Sequence, residues 1–334
     1  MKKSLKIALV GLGFIGTPYA RILHELPIAE LVAVADIDGA RVKAAAERYN
    51  CAGYTNYKDM LDKEKIDAIA ITVPDEYHAE VSLYAAEKGI DVLLEKPIAH
   101  TVEDSQKIIN KFKEAGPRLM IAHTLHFDAR YVKLKEAVHN GELGELIHLF
   151  FKRTNPRHNP ERLGGKVSIF HYIGIHDFDM LCACAQSKPV RAYCQMVSKV
   201  HKGRGCEDTI FATVNFENGA LGVIELCWAL PNNKALIIPC FAEVVGVDGV
   251  AYLEIMNQGV TVITEDSFWY PDPFIGAEYN GRQYGLLRDK IEHFITATIN
   301  DEPYVVDTQN AFTALKVVEA CRKSIQTGLP VNIE

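Results

Sequence analysis

"KIALVGLGFIG", residues Lys6–Gly16, decides how the first part of this chain folds. After Lys6, a run of apolar residues leads into Gly11, Gly13 and Gly16, which form the pattern Gly-x-Gly-x-x-Gly. An uninterrupted apolar run of this kind is typical of a strand that is buried on both faces. The three glycines allow a tight turn, a close approach to the backbone and close packing of the next helix. The stretch therefore predicts a strand, a tight turn and the start of a helix.

A carboxylate at the end of the second apolar run suggests what this turn binds. Asp36 follows Gly16 by twenty residues, the spacing expected of a carboxylate that binds a ribose in dinucleotide sites. The pyrophosphate would lie at the helix N-terminus, and Phe14 and Ile15 would border it. Because a carboxylate repels a 2′-phosphate, and Ile37 follows it directly, NAD is favoured over NADP. The alternative is that the glycines serve packing alone.

The pattern of apolar and polar residues changes once along the chain, near His123. Up to His123, short apolar runs alternate with amphipathic stretches, which predicts a parallel, doubly wound (Rossmann) sheet with helices on both faces. After His123, strand-like runs with turn signals predict an α/β domain with a large, mainly antiparallel and open-faced sheet. We expect an NAD-binding domain over 1–123 and a substrate-binding and oligomerisation domain over 124–334. The C-terminal helices, 286–299 and 308–327, are candidates to pack back on the first domain.

Composition excludes several classes of protein. The chain has 334 residues, a net charge of −7 and no basic block, so neither nucleic acid nor a membrane is an expected partner. The start resembles a signal peptide, but Lys6 interrupts its apolar run. Eight scattered cysteines without a Cys-x-x-Cys pair predict neither a disulfide framework nor a zinc site, and favour a cytoplasmic setting.

"VLLEKPIAH", residues Val92–His100, presents a lysine where a buried strand ends. Ligands of open α/β sheets bind beyond the carboxyl ends of the strands, which makes Lys96 a site candidate. The alternative is a structural ion pair between Glu95 and Lys96, with Pro97 ending the strand. A lysine at the nicotinamide would stabilise an alkoxide or take part in its proton transfer.

Several stretches in the same order resemble one family. They are "VGLGFIG", "ITVPDEYH", "LLEKPIA", "HFDARYVKLKEAVHNGELGELIHL", "GIHDFDML" and a C-terminal segment from Tyr284 to Ile333. Together they are similar to the glucose–fructose oxidoreductase / inositol dehydrogenase / MocA (Gfo/Idh/MocA) family, over nearly the whole chain. The resemblance implies a Rossmann domain followed by an α/β domain whose open sheet packs against another subunit. A homodimer or homotetramer through that sheet is therefore expected.

The resemblance also implies roles for individual residues. Lys96 would be the catalytic lysine of the Glu-Lys-Pro motif, close to substrate and nicotinamide, with Glu95 orienting it. Pro97 would shape the turn, with a cis peptide as one possibility. The segment after the fourth strand would pack along the cofactor through Thr72, Pro74 and His78.

The chain departs from the family pattern at its second catalytic stretch. Where relatives read Asp-x-Gly-x-His-x-x-Asp, "YIGIHDFD" has Tyr172 in place of the first aspartate and keeps His176 and Asp179. If the stretch is helical, Tyr172 and His176 lie one turn apart on one face. They could then converge with Lys96 on one substrate hydroxyl. The alternatives are that His176 is a core histidine and that Tyr172 only fills space. A metal site at His171, His176, Asp177 and Asp179 is disfavoured, because their spacing matches no helical zinc motif.

Four further residues are candidates for the substrate pocket. His126 stands where many relatives carry arginine, and Tyr284 opens the penultimate helix. Asn155 and Arg157 belong to a stretch from Arg153 to Gly165 that we interpret as a polar loop. Plain surface is the alternative for that loop.

These observations predict an NAD-dependent oxidoreductase that acts on a secondary alcohol of a sugar, polyol or cyclitol. His176, with Tyr172, would take the hydroxyl proton while Lys96 polarises the oxygen. Two other classes stay open. One is a sugar-modifying enzyme with tightly bound NAD that oxidises its substrate transiently, and the other is a non-catalytic NAD-binding regulator.

Overall fold

The structure is a computed structural model that describes residues 4–163, 167–232, 238–255, 259–271 and 275–334. The chain divides into two compact units. The first comprises residues 1–124 and 274–312, and the second comprises residues 125–273 and 313–334. The domain boundary after His123 stays a prediction.

The first unit is built on a six-stranded parallel sheet. Its strands are β1 (Leu5–Val10), β2 (Ala29–Ala35), β3 (Ala52–Tyr54), β4 (Ala68–Ile71), β5 (Asp91–Leu94) and β6 (Leu119–Ile121). The order across the sheet is β3-β2-β1-β4-β5-β6, so the strand order reverses between β1 and β4, although all six strands are parallel. Strands β1 and β4 are almost wholly buried, as their uninterrupted apolar residues require. This is the predicted Rossmann sheet.

Helices separate the strands of the first unit. They are α1 (Gly16–Glu25), α2 (Gly39–Tyr49), α3 (Tyr57–Lys63), α4 (His78–Glu87) and α5 (Val102–Ala115), joined later in the chain by α9 (Leu286–Asn300). Side chains that precede a helix satisfy its free N–H groups: Asp38 caps α2 and Thr101 caps α5. Gly116 ends α5 with φ +90°, a conformation that favours glycine. Helix α9 packs against α1 and β5 within this unit.

The second unit is built on a seven-stranded mixed sheet. Its strands are β7 (Leu146–Pro156), β8 (Pro189–Val197), β9 (Thr209–Phe216), β10 (Leu221–Leu230), β11 (Cys240–Gly246), β12 (Val250–Ile255) and β17 (Val331–Asn332). The order is β12-β11-β7-β10-β9-β8-β17, and the only parallel neighbours among these seven described strands are β7 and β10. The Asn-Gly turn in "FENGA" (residues 216–220), which predicts a hairpin, joins the antiparallel pair β9 and β10, with Gly219 at φ +85°.

Two helices pack against this second sheet: α6 (Ala129–His139) on β12, and α8 (Ile175–Ala185) on β7 and β10. The short α7 (His158–Arg162) follows β7 in the chain. A last helix, α10 (Thr308–Thr327), runs from residues of the first unit into residues of the second. No helix in the described part of the chain has the length and apolar character to cross a membrane.

Two expectations about local structure were wrong. "VTVITED", residues 260–266, is one of the strand-like runs expected in the large sheet, but among the described residues Val262–Ile263 (β13) pairs with Phe268–Trp269 (β14) alone, and Ile263 is exposed. The supposed polar loop from Arg153 is strand β7 up to Pro156 and then helix α7, while Gly164 and Gly165 lie outside the described residues. Polarity misled the prediction there, because a polar residue in a strand is buried when a partner satisfies it.

Candidate active site

The three glycines of the first turn are required for different reasons. Gly11 has φ +96°, and a Cβ there would lie 2.8–2.9 Å from the backbone of Thr72 and Val73. A Cβ on Gly16 would lie 1.9 Å from the Gly11 carbonyl oxygen. Gly13 has nothing within 4 Å of its would-be Cβ. Its open side is the space that a dinucleotide pyrophosphate needs in order to reach the backbone.

Neighbouring side chains hold this turn in place. Thr72 Oγ1 donates to the carbonyl oxygen of Gly11 at 2.8 Å. Asp36 Oδ2 accepts from the Leu12 N–H at 2.6 Å, and its Oδ1 accepts from the Asp38 N–H at 2.9 Å. The predicted ribose-binding carboxylate is thus fixed beside the glycine turn. Each of its oxygens keeps a second lone pair for a hydroxyl group.

Exposed apolar side chains surround the same turn. Phe14 is 75% exposed, Ile15 is partly exposed, and Ile37, directly after Asp36, is 96% exposed. A flat aromatic ligand lying over such side chains would remove them from water. Pro74 begins the short turn after β4, where its carbonyl oxygen accepts from Tyr77. The open Gly13, the fixed carboxylate and this apolar border fit NAD.

The Glu-Lys-Pro turn follows β5, and buried partners hold its glutamate. The Lys96–Pro97 peptide is cis. Glu95 Oε1 accepts from the Tyr19 hydroxyl at 2.5 Å and from Lys290 Nζ at 2.7 Å. Glu95 Oε2 accepts from the backbone N–H of Lys96 at 3.3 Å. Two helices distant in sequence, α1 and α9, therefore fix the residue next to the candidate catalytic lysine.

These contacts set the ionisation of Glu95. Burial alone would raise the pKa of Glu95, but the charge of Lys290 and the hydrogen bonds from Lys290 and Tyr19 outweigh it, so the pKa lies below its usual value. Burial, together with the negative charge of Glu95, raises the pKa of Tyr19. Glu95 is therefore a carboxylate, and Tyr19 is a neutral hydroxyl that donates to it.

His78 ties the turn after β4 to the turn after β5. Its ring is buried, with Nδ1 2.8 Å from the Pro97 carbonyl oxygen and Nε2 3.0 Å from the Val73 carbonyl oxygen. Burial lowers the pKa of His78 below its usual value, so the neutral ring donates to one of these carbonyls. His78 supports the backbone of both turns, and its predicted role beside the cofactor would act through them.

Tyr172 and His176 lie on a helical segment of the second unit. Residues 170–174 form a π-helical turn that leads directly into α8. Between Phe170 and Met180, all of which are described, only Tyr172 and His176 are partly exposed, and the other residues are buried. Shared exposure at a spacing of four residues supports a common face. π-Helical turns occur frequently at functional sites.

Buried ion pairs fix the helix that carries His176. Asp177, fully buried, accepts from Arg153 Nε at 2.6 Å and from a second guanidinium nitrogen at 3.1 Å. Arg153 also donates to the Tyr131 hydroxyl at 3.2 Å. Strand β7 thereby holds the first turn of α8. Because charge-assisted bidentate pairs have defined geometry, they orient the residues beside them.

His126 is buried against the same helix. Its Nε2 lies 2.7 Å from Asp179 Oδ2, and its Nδ1 lies 3.5 Å from Lys135 Nζ. The two aspartates of the disfavoured metal alternative, Asp177 and Asp179, are thus engaged with Arg153 and His126. A direct contact of His126 with substrate stays a prediction.

The remaining pocket candidates have different surroundings. Asn155 is buried, and its side-chain oxygen has no hydrogen-bond partner among the described residues. Arg157 is partly buried, and its Nε donates to the Leu230 carbonyl oxygen at 3.4 Å.

The prediction that Tyr284 opens the penultimate helix was wrong, because α9 begins at Leu286. Tyr284 follows a small hairpin of Glu278–Tyr279 (β15) and Arg282–Gln283 (β16) and stacks on Tyr279, with ring centroids 3.8 Å apart. The predicted convergence of Lys96 with Tyr172 and His176 joins two separate units and stays a prediction.

The sequence interpretation missed the residues that hold the candidates in place: Tyr19, Lys290, Arg153 and Asp177. Lys290 left one signal in the sequence. It stands four residues after Leu286 and four before Phe294, on the apolar stripe of α9, where a lysine requires a buried partner. The burial of Arg153 could not be predicted from its neighbours in the sequence, because its partner Asp177 lies on another element.

The fold and these residues define an oxidoreductase with an NAD-binding Rossmann domain. Residues 5–123 match the oxidoreductase family with an NAD-binding Rossmann fold, and residues 131–252 match the GFO/IDH/MocA C-terminal domain. The chain belongs to the GFO/IDH/MocA family.

Named relatives resemble the chain over most or all of its length. An inositol 2-dehydrogenase of Corynebacterium glutamicum (strain R) is 31% identical over 68% of both chains. The scyllo-inositol 2-dehydrogenase (NAD(+)) of Bacillus subtilis (strain 168) is 25% identical over 100% of this chain and 98% of its own. The crystal structure of myo-inositol 2-dehydrogenase from Lactobacillus plantarum is 26% identical and superposes with a TM-score of 0.85, covering 99% of this chain and 100% of that one.

Proposed function

We propose that this protein is an NAD-dependent dehydrogenase that oxidises a secondary alcohol of an inositol or a related sugar or polyol. The observation that carries the proposal is the Glu95–Pro97 turn, which presents Lys96 at the carboxyl end of β5 and is fixed by buried partners. The similarity to proteins named as inositol dehydrogenases supports the cyclitol as substrate.

Each residue has one role in the proposed reaction. The Lys96 ammonium donates to the substrate oxygen and stabilises the negative charge that develops there. His176 accepts the hydroxyl proton, and Tyr172 shares in this transfer as a neighbour one turn away. NAD, when bound, supplies the acceptor for the hydride that leaves the carbinol carbon. Oxidation of the alcohol thus yields a ketone, a reduced nicotinamide and one proton.

The proposal is tested by absorbance of reduced nicotinamide. NAD is supplied with a panel of inositols, aldoses, sugar acids and glycosides, and wild type is compared with Lys96→Ala. Lys107→Ala, an exposed lysine on α5, is the control that removes the same charge elsewhere. We expect wild type and Lys107→Ala to reduce NAD with a cyclitol, and Lys96→Ala not to reduce it.

Two other outcomes of this experiment would favour the two alternative functions, a sugar-modifying enzyme with tightly bound NAD and a non-catalytic regulator. NAD that co-purifies and resists dialysis, without net reduction, would favour transient oxidation of a glycoside. Binding of added NAD without turnover on any member of the panel would favour a regulator.

Tyr172→Phe tests the altered catalytic stretch. The variant removes one hydroxyl and keeps the ring that lies 6.3 Å from that of Trp228. We expect turnover to fall by about 10²- to 10⁴-fold, the range for loss of an acid–base group. Steady-state kinetics with the cyclitol give the answer, and full activity would remove Tyr172 from the mechanism.

We further propose a homo-oligomer, a dimer or a tetramer, that assembles through the second sheet. The sheet face opposite α8 carries Phe211, 53% exposed, and Tyr252, 63% exposed, together with Phe150 and Phe241. An exposed apolar patch of this kind is typical of a protein interface.

We also propose a cytoplasmic location. All eight cysteines, each in a described part of the chain, are free thiols, which supports a reducing environment.

A further inference from the structure

Residues 260–270 of the second unit form an exposed hairpin, which we call the aromatic hairpin. Its strands β13 and β14 form a sheet of their own. The Thr264 N–H donates to the Ser267 carbonyl oxygen at 2.8 Å, and the Ser267 N–H donates to Thr264 Oγ1 at 3.2 Å, so the turn is well defined. A lone two-stranded hairpin is only marginally stable in water, and exposed apolar side chains are typical of an interaction surface. Those of this hairpin, with their exposed fractions, are Ile263 (77%), Phe268 (56%) and Trp269 (42%).

The tip of the aromatic hairpin is acidic. Glu265 and Asp266 lie between the two turn residues, and both are exposed. Neither carboxylate has a cationic partner among the residues that the structure describes. The hairpin thus combines aromatic side chains with two negative charges, so it fits a surface that is both apolar and basic.

A loop of that character lies at the end of β8. We call residues 196–204 the basic loop, because Lys199, Lys202 and Arg204 are all exposed there. Within the described ranges, Arg204 is the one cation of the three with a carboxylate partner, Glu161 at 3.8 Å. The loop also exposes apolar side chains, each by nearly half: Met196, Val197 and Val200.

Buried groups hold the basic loop in one conformation. The Asp208 carboxylate accepts from three consecutive backbone N–H groups of the loop. They belong to Lys199, to Val200 at 2.6 Å and to His201 at 2.8 Å. The ring of His201 is buried, and its Nε2 lies 3.4 Å from the Trp228 carbonyl oxygen. A preformed loop loses little conformational entropy when a partner binds to it.

The aromatic hairpin and the basic loop start from the same end of the second sheet, near opposite edges. The strand order and pairing directions show that β12 and β8 run in the same direction. The hairpin follows the carboxyl end of β12, and the loop follows the carboxyl end of β8. Five strand spacings of about 4.8 Å separate these two strands, which is about 24 Å across the sheet.

A two-fold axis parallel to the strands brings these features of two copies together. When the sheet faces opposite α8 pack against each other about this axis, the β12 edge of each copy lies opposite the β8 side of the other. The same ends of both sheets then coincide. Packed sheets lie about 10 Å apart, less than half the distance across one sheet. Each hairpin is thus closer to the basic loop of the other copy than to its own.

We propose that the aromatic hairpin of each copy binds the basic loop of a second copy, so that two equivalent contacts hold a dimer together. Glu265 and Asp266 meet the lysines of the loop, and the apolar side chains of both segments are buried beside them. Opposite charges fix the register of such a contact, and burial of apolar surface stabilises it. The inference rests on the assembly proposed above and is independent of the dehydrogenase activity.

Reversal of charge tests the contact. Glu265→Lys with Asp266→Lys makes the hairpin basic, and Lys199→Glu with Lys202→Glu makes the loop acidic. Either double variant places like charges opposite each other in both contacts of the dimer. We expect the dissociation constant of the dimer, measured by analytical ultracentrifugation, to rise at least about tenfold in each.

A mixture of the two double variants shows whether the contact joins two chains. In a mixed dimer every hairpin meets a loop of opposite charge, so the dissociation constant should return to that of wild type. Native mass spectrometry identifies the mixed dimer by its mass, and its formation shows that both variants are folded. No recovery in the mixture would overturn the proposal, because a contact within one chain cannot be restored by a second chain.

A control variant separates the contact from net charge. Lys188→Glu with Lys323→Glu makes the same change of charge at two exposed lysines outside both segments and should assemble as wild type does. An equal rise in this control, or unchanged assembly in both reversed variants, would overturn the contact. Unchanged assembly would leave the packing of the sheet faces standing, whereas a monomeric wild type would contradict both. Oxidation of a cyclitol is measured separately, so failure of the proposed activity is distinguishable.

Discussion

Gly13 and Gly16 are three residues apart in one turn, yet they are glycines for different physical reasons. At Gly16 the fold itself leaves no room, because a Cβ would lie 1.9 Å from the Gly11 carbonyl oxygen. At Gly13 the fold leaves open space within 4 Å. Because packing does not require glycine at position 13, we expect a ligand to approach its backbone there.

Gly13→Ala and Gly16→Ala should therefore fail in different ways. We expect Gly13→Ala to keep the melting temperature of wild type and to lose at least about tenfold in NAD affinity, because the methyl group takes the place of the pyrophosphate. Gly16→Ala should lower the melting temperature even without NAD. Thermal unfolding and NAD titration by calorimetry measure both effects. A Gly13→Ala protein that binds NAD as wild type does would contradict this account of the cofactor site.

His78 makes stability depend on pH. Because burial lowers its pKa in the folded state, the unfolded chain binds the proton at a higher pH than the folded chain does. The contribution of His78 to stability is thus complete above the unfolded pKa of about 6.5 and is lost as the pH falls through the folded pKa. Urea unfolding at pH 7 and pH 5 should show a smaller loss of stability in His78→Gln than in wild type. An equal loss in both proteins would mean that His78 is not the group responsible.

At the scale of elements, two short connections position the candidate chemistry. The turn after β5 carries Lys96, and its glutamate is held by α1 and α9. The π-helical turn before α8 brings Tyr172 and His176 to the partly exposed side of an otherwise buried segment. In both places, an ion pair between distant elements fixes the backbone next to the functional side chain.

The ion pair between Arg153 of β7 and Asp177 of α8 should stabilise the fold only while both charges are present. Arg153→Met leaves Asp177 buried without its cation, which should cost about 3–5 kcal/mol, the usual range for breaking a buried pair. The double variant Arg153→Met with Asp177→Leu should recover most of that loss, since no charge then stays buried. Urea unfolding of both variants measures the difference. Equal losses in the single and double variants would show that the pair is not what holds α8.

At the scale of the whole molecule, the open face of the second sheet predicts assembly. In register across the sheet, Phe241, Lys152, Glu225 and Phe211 form one continuous row on that face. Phe211→Glu would remove an exposed aromatic ring from that face and place a second carboxylate directly opposite Glu225, where like charges repel. We expect light scattering after size-exclusion chromatography to give a lower molar mass for the variant than for wild type, because the oligomer dissociates. The matched change Val305→Glu, at an exposed apolar residue of the first unit, should leave the mass unchanged. If wild type is itself a monomer, the assembly proposal is wrong.

The sequence by itself determined the parallel sheet, the glycine-rich turn and the mainly antiparallel second sheet. These follow from local patterns: apolar runs of strand length, three glycines at fixed spacing, and turn residues between alternating strands. The position of Lys96 at the end of β5 was readable for the same reason, because a strand and the residues after it are neighbours in the chain.

Only the tertiary structure decided how the polar residues near the candidate site are satisfied. Glu95 and Lys290 are separated by 195 positions, and Arg153 and Asp177 by 24. A polar side chain in a sequence looks the same whether water or a buried partner will satisfy it. For that reason Arg153 was taken for part of a polar loop and Lys290 was overlooked. Such residues are buried only because folding brings an opposite charge to them, and no local pattern states which charge that will be.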